Sequence, residues 1–347
     1  MSLQDFLKTK QNLKGFKEEP DHEIIGLDFN IITQEHTNGV QLADSCMIEE
    51  MKKNFVWKRG FQNCFTGFPN SGKSQFCLFV MTVKTMLSKW KWVVWSPEMK
   101  SANFVDNKVK VHYNDLAYEI MATCSGKTPY KHIHEKYKVP MMTLEEKQEW
   151  IEWIKQYFIF IDPTNKKIDD IYNLLRRIYD DQGFDGVLID PYKNIDSSDI
   201  SREDKFLHKV FDDFKDLAVR TNSVMNWIAH PKSGVQRIVT TKDGDKLAVC
   251  NQYMLSGGAA WDNSMDGIYS IQRPFELEDI NDSRVHFHNL KQRKQELTCS
   301  RGVVEDIDFN IKTRRYIFNL NDPLGYSVPT QLERFPEVES NFERPPF

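Results

Sequence analysis

One stretch constrains this chain more than any other. "FTGFPNSGKSQF", Phe65 to Phe76, sets Gly67, Gly72, Lys73 and Ser74 at the spacing G-x-x-x-x-G-K-S. The β-rich run "FQNCFT" leads into it and a helical segment, "SQFCLFVMTVKTML", leads out. Glycines at those positions let successive backbone N–H groups turn toward an anion. The lysine then reaches the outer phosphates and the hydroxyl serves Mg²⁺. A helix that starts at the lysine adds the partial positive charge of its N-terminus. Gly67, Phe68, Pro69, Asn70, Ser71, Gly72, Lys73, Ser74 and Gln75 are therefore the expected cradle of a nucleoside triphosphate. The competing reading is an accidental Gly-rich turn, and the strand–loop–helix context tells against it.

The same alternation continues downstream. Runs rich in Val, Ile, Phe and Trp, "KWVVWS", "YFIFID", "GVLID" and "VMNWIA", read as strands. They are separated by helical segments, "YNDLAYEIMATC", "LEEKQEWIEWIKQ", "IDDIYNLLRRIYDD" and "KFLHKVFDDFKDLAVR". In the last, Phe206, Val210, Phe211, Phe214 and Leu217 make one apolar stripe at three- and four-residue steps. This pattern predicts an α/β fold with a mostly parallel, twisted sheet flanked by helices. Four later runs, "DGIYSIQR", "RVHFHNLKQR", "VVEDIDFN" and "RRYIFNL", read as added antiparallel strands at the C-terminal end. The expected organisation is an arm or linker with a short helix over residues 1–59, the sheet domain over 60–320, and a Pro-rich flexible tail over 321–347.

With 347 residues the chain can bury one large core. A formal net charge of −4 gives no overall electrostatic footprint for nucleic acid or anionic lipid, so any polyanion site must be local. The six cysteines show neither a C-x-x-C pair nor nearby histidines at zinc spacing, which suits reduced thiols. The N-terminus has no apolar signal core, and the longest apolar run, "FCLFVMTV", is too short to span a bilayer. The expectation is a soluble, cytoplasmic protein without a membrane partner.

Three further positions stand where nucleotide chemistry needs them. Asp190 ends "GVLID" and suits a Mg²⁺ carboxylate, with a strand-end turn as the plainer alternative. Glu98 in "WSPEM" follows the strand after the loop helix, where a carboxylate either activates water or is simply solvated. His230 ends "VMNWIAH" and is placed either to contact the γ-phosphate or to serve structure.

Taken in order, "TGFPNSGKS", "WSPEM", "VLIDPYKNID", "WIAHPKSG", "YMLSGGAAWDNSMDGIYSIQRP" and "HNLKQRKQ" resemble the helicase domain of the Twinkle-like branch of DnaB-type ring helicases, over about Gly60 to Leu320. The resemblance implies a RecA-like P-loop fold and a homo-hexamer or heptamer that hydrolyses ATP with Mg²⁺ at subunit interfaces and translocates on single-stranded DNA. It assigns phosphate and Mg²⁺ binding to Lys73 and Ser74, the Walker B acid to Asp190, the catalytic base to Glu98 and the γ-phosphate sensor to His230. Arg293, with Lys291 beside it, looks like the arginine finger given to a neighbour's ATP; a basic edge strand is the alternative. The loop after His230 is expected to hold the DNA backbone, with Lys232 and Arg237 favoured because Asp243 and Asp245 dilute the charge of Lys242 and Lys246.

The pattern is not followed throughout. The segment "ELTCSRGVV" lacks the family's Phe-Thr-Gly spacing after Arg293, and the first 59 residues are short for a primase or zinc region, so priming is expected to fall to a separate primase or polymerase. A short format of this kind suits a phage-encoded protein acting in the host cytoplasm. By the same resemblance, the N-terminal arm is the linker helix that docks on an adjacent subunit. Two alternatives share the core chemistry: a filament-forming RecA-like recombination ATPase, and a loading factor that uses ATP as a switch.

Overall fold

A computed structural model describes residues 28–105, 108–162, 167–192, 195, 203–242 and 244–325. The first part of the expected arm and most of the expected tail lie outside these residues. The chain divides into two compact units, Met1–Gln41 and Leu42–Phe347. In the first, helix α1 (Phe29–Asn38) starts at Asp28, whose carboxylate accepts the Asn30 N–H at 2.8 Å, and it ends at Gly39, at φ 81°. None of its residues is buried.

The second unit begins at Leu42, earlier than the composition suggests. β1 (Asp44–Ser45) pairs antiparallel with β2 (Val56–Trp57), and Cys46, Ile48, Met51, Phe55 and Trp57 are all buried in the main core. Phe55 sets its edge against Trp57, Phe65, Tyr269 and Phe287, with ring centroids 4.7 to 5.8 Å apart. Polar neighbours in the sequence hide this anchor, because its apolar positions have no regular period.

From there the chain follows the expected alternation. β3 (Gln62–Thr66) leads to α2 (Lys73–Ser88) and β4 (Trp92–Trp95). A small hairpin, β5 (Ser101–Val105) and β6 (Lys108–His112), precedes α3 (Asn114–Ser125), α4 (Lys131–Tyr137), α5 (Leu144–Tyr157) and β7 (Phe158–Phe160). Then come α6 (Ile168–Gln182), β8 (Gly186–Ile189), α7 (Glu203–Arg220) and β9 (Val224–Ala229). A second hairpin, β10 (Ile238–Thr241) and β11 (Gly244–Leu247), precedes α8 (Gly258–Ser264), β12 (Gly267–Gln272), β13 (Arg284–Gln292), β14 (Gly302–Asn310) and β15 (Arg315–Phe318).

The main sheet of the described residues has nine strands in the order β15-β14-β13-β12-β3-β9-β8-β4-β7. The six from β12 to β7 are parallel neighbours, and β13, β14 and β15 are antiparallel. Apolar cores cover both faces, so the central strands are apolar at nearly every position. The α7 stripe from Phe206 to Leu217 is buried as its spacing predicts.

Two expectations are corrected here. In place of an antiparallel strand throughout, β12 pairs parallel with β3, Gly267 lying opposite Asn63, and antiparallel only with β13. In place of a plain loop, the segment after His230 carries β10 and β11, with Ile238 opposite Leu247. The Asp-Gly pair at 243–244 is a readable hairpin signal. The helices α4 and α8 and the β5–β6 hairpin also go beyond the expected elements.

Gly186 shows how tightly the sheet core is filled. A Cβ there would lie 2.2 Å from the Trp92 ring and 2.8 Å from Val224. Trp92 is itself pinned, its indole N–H donating to Thr85 Oγ1 at 2.9 Å. Gly186→Ala is therefore expected to cost about 1–3 kcal/mol, seen as a lower urea midpoint at unchanged slope.

Candidate nucleotide site and subunit edge

Because β3, β9, β8 and β4 are adjacent and parallel, their C-terminal ends share one edge of the sheet. That edge receives the loop after Thr66, His230 after Ala229, Asp190 after Ile189, and Ser96 and Glu98 after Trp95. Open parallel sheets bind ligands at this edge.

The loop geometry depends on its glycines. A Cβ on Gly67 would fall 2.3 Å from Ser71 Oγ and 2.5 Å from the Ile271 carbonyl oxygen. Gly72 takes φ 82°, a left-handed conformation that suits glycine, and directly precedes α2. Tyr316 Oη donates to the Gly72 carbonyl at 3.4 Å, a brace from β15 that nothing in the sequence announced. Lys73 is 5% exposed, and the buried Ser71 Oγ has no hydrogen-bond partner among the described residues.

Asp190 is the centre of the arrangement. Ser74 Oγ donates to its Oδ1 at 3.0 Å and Ser96 Oγ to its Oδ2 at 3.3 Å. Burial pushes the Asp190 carboxyl up to about 6, the Glu98 charge adds to the rise, and the Ser74 hydrogen bond and the Lys73 charge oppose it. A hydroxyl and a carboxylate held together this way are hard oxygen ligands suited to Mg²⁺. With the Ser71 hydroxyl unpaired inside the loop and the space cleared by Gly67, these residues fit a Mg²⁺-nucleotide. Ser96 was missed, although its place at a strand end two residues before Glu98 was a usable signal. His230 Nε2 lies 3.6 Å from Glu98 Oε2, and the Glu98 side chain is 40% exposed. The fold thus brings Lys73, Ser74, Asp190, Glu98 and His230 together.

Lys291 and Arg293 are elsewhere. Gln292 pairs with Gly267, which pairs with Asn63 near the start of β3. At about 3.3 Å per residue, Asn63 is about 13 Å of strand away from Gly67. The two cations therefore sit at the opposite edge from their own chain's loop. Lys291 Nζ donates to the Asp262 carbonyl, and Arg293 Nη2 to the Asn263 carbonyl, both in the last turn of α8.

In the segment after His230, Lys232 is exposed and its backbone N–H donates to the Met254 carbonyl at 2.9 Å. Arg237 is not the open cation expected: its Nη2 donates to Glu276, which is also 4.0 Å from Arg273 Nη1. Lys242 and Lys246 are exposed on the β10–β11 hairpin, where the Asp245 carboxylate accepts Thr240 Oγ1 at 2.7 Å.

The fold is that of a RecA-like domain, a mostly parallel sheet flanked by helices with antiparallel strands added at the C-terminal end. No family model matches the chain. The chain is similar to the Twinkle homolog protein, chloroplastic/mitochondrial, of Arabidopsis thaliana, with 26% identity over 213 residues, covering 60% of this chain and 27% of that protein. It thus spans about a quarter of the length of that relative. Among solved structures, one described as an ATPase domain matches at TM-score 0.65 with 13% identity, over 85% of this chain and 99% of that one. A DnaB-like replicative helicase, described together with its interactions with primase, matches at TM-score 0.60 with 14% identity, over 90% of this chain and 71% of that one. These likenesses bear out the resemblance to the Twinkle-like, DnaB-type helicase domain and the RecA-like fold. Among the described residues, no helix is long and apolar enough to cross a membrane.

Proposed function

We propose that this chain is the ATP-dependent motor of a ring-forming replicative DNA helicase. The observation that carries the reading is the division of the site between two edges of one sheet. Lys73, Ser74, Asp190, Glu98 and His230 meet at one edge, while Arg293 and Lys291 stand at the other. A finger at the far edge can complete only the site of another copy, so the chemistry calls for a head-to-tail homo-oligomer, in this reading a ring of six or seven.

In this reading the loop N–H groups and Lys73 hold the phosphates, and Ser74 and Asp190 hold Mg²⁺, with Ser96 fixing the second Asp190 oxygen. Bound Mg²⁺ neutralises charge on the outer phosphates. Glu98 takes a proton from the attacking water, and His230, beside Glu98, reports whether the γ-phosphate is present. Arg293 and Lys291 of the next copy stabilise charge on the transferred group. Lys232 and the exposed hairpin lysines track the phosphates of single-stranded DNA without reading bases. A separate primase or polymerase completes the system.

Steady-state ATPase with and without single-stranded DNA, at low and higher salt, tests the reading. Stimulation that is large and salt-sensitive is expected. An ATP-binding chain that DNA fails to stimulate would instead be a switch or loading factor.

The pairing of Arg237 with Glu276 makes a separate prediction. Glu276→Gln should free the guanidinium, tighten single-stranded DNA binding and steepen its logarithmic salt slope by about 0.7, the value of one added phosphate contact. Fluorescence anisotropy over a salt series measures it. An unchanged slope would place Arg237 away from the DNA path.

A further inference from the structure

We propose that Asp266 is the positioning residue that aims Arg293 at the neighbouring subunit's nucleotide. The inference rests on the reading of Arg293 as a finger acting on another copy. Asp266 precedes β12 and is 3% exposed. Its Oδ2 accepts the Gln62 N–H at 2.8 Å and Lys215 Nζ at 2.5 Å, while its Oδ1 faces Arg293 Nη1 at 3.4 Å. The backbone repeats the tie: Asp266 N–H donates to the Gln62 carbonyl and Arg293 N–H to the Asp266 carbonyl, each at 2.8 Å. One buried residue therefore fixes both the main chain and the side chain of Arg293 against the start of β3.

Charge balance supports a role beyond packing. Lys215, also bonded to the Gly60 carbonyl at 2.6 Å, already neutralises the buried carboxylate. The second cation is not needed to compensate Asp266, and it is the more exposed of the two: the side chains of Arg293 and Lys215 are 43% and 33% exposed. A guanidinium carries five N–H donors in a rigid fork. Asp266 and the Asn263 carbonyl each take one, from Nη1 and Nη2. The remaining donors stay available to an incoming phosphate. An arginine already fixed in direction avoids the cost of ordering at the moment of phosphoryl transfer, and a displacement of ~1 Å in such a group costs on the order of 100-fold in rate.

Asp266→Asn keeps the shape and removes the charge, and Asp266→Ser is a second variant that keeps an acceptor for the Gln62 N–H. Expected for either is affinity for a fluorescent ATP analogue within about threefold of the wild type and ring ATPase reduced by about 10- to 100-fold. Subunit mixing then separates a role in trans from damage in cis. Arg293→Ala mixed with Lys73→Ala should regain turnover, because intact loops meet intact fingers at some interfaces. Asp266→Asn should likewise regain turnover with Lys73→Ala but not with Arg293→Ala. The reverse pattern, rescue only by Arg293→Ala, would show that Asp266 serves its own loop and would overturn the proposal while leaving the finger reading intact. Normal turnover of Asp266→Asn alone would also overturn it. If Arg293→Ala and Lys73→Ala fail to rescue each other, the finger reading falls and takes this proposal with it.

Discussion

Glu98→Gln is expected to retain ATP and to lose its turnover by about 10²- to 10⁴-fold, the usual contribution of a positioned general base. The substitution keeps the length and shape of the side chain and removes only its ability to accept a proton. In the proposed site the groups assigned to hold the nucleotide are other residues, Lys73, Ser74 and Asp190, and the Ser74–Asp190 hydrogen bond of 3.0 Å does not involve Glu98. Binding and chemistry should therefore separate. Filter binding should show ATP retained on the protein, while phosphate release falls close to background. His230, 3.6 Å from Glu98, should keep its place because the glutamine fills the same volume beside it. Turnover within a few-fold of the wild type would remove Glu98 from the role of base. It would also favour a nucleotide switch, in which hydrolysis matters little.

Lys73→Ala should fail earlier, at binding as well as turnover. Lys73 is 5% exposed at the N-terminus of α2, and it stands where the outer phosphates of a nucleotide would gather charge. Its ammonium also opposes the burial that pushes the Asp190 carboxyl up to about 6. Removing it takes one positive charge from the phosphates and one support from the ionised Mg²⁺ ligand. The expected result is a loss of at least about 100-fold in kcat/KM for ATP, close to 3 kcal/mol of transition-state stabilisation. Isothermal titration with a non-hydrolysable analogue, alongside the turnover assay, distinguishes lost affinity from lost chemistry. Thermal unfolding of the nucleotide-free protein should change little. Wild-type affinity with this variant would mean that the loop does not grip phosphate in the way its spacing implies.

The strands β3, β4, β7, β8 and β9, and the helices α2, α3, α5, α6 and α7, were legible because their evidence is local. β-Branched and aromatic runs and three- and four-residue apolar steps act within a few residues. The early anchor at Cys46 to Trp57 was not legible, because its apolar residues are irregularly spaced and find their partners more than 200 residues away, at Tyr269 and Phe287. The pairing of Arg237 with Glu276 was not legible either, because that partner lies across the β10–β11 excursion.

The candidate phosphate loop, the strand that feeds it, the helix that follows it and the carboxylate at Asp190 can all be read along the chain. Each follows from residue type at fixed short spacing: glycines where φ or space demands them, a lysine at a helix start, an acid at the end of an apolar run. That β3 lies between β12 and β9, and that β12 runs parallel to it, emerges only from the packed sheet. Apolar alternation says that a strand is buried but not which way it runs, since direction follows from where the connecting segments return the chain. That choice places Asp190, Glu98 and His230 beside the loop and puts Arg293 and Asp266 at the opposite edge, out of reach of their own loop.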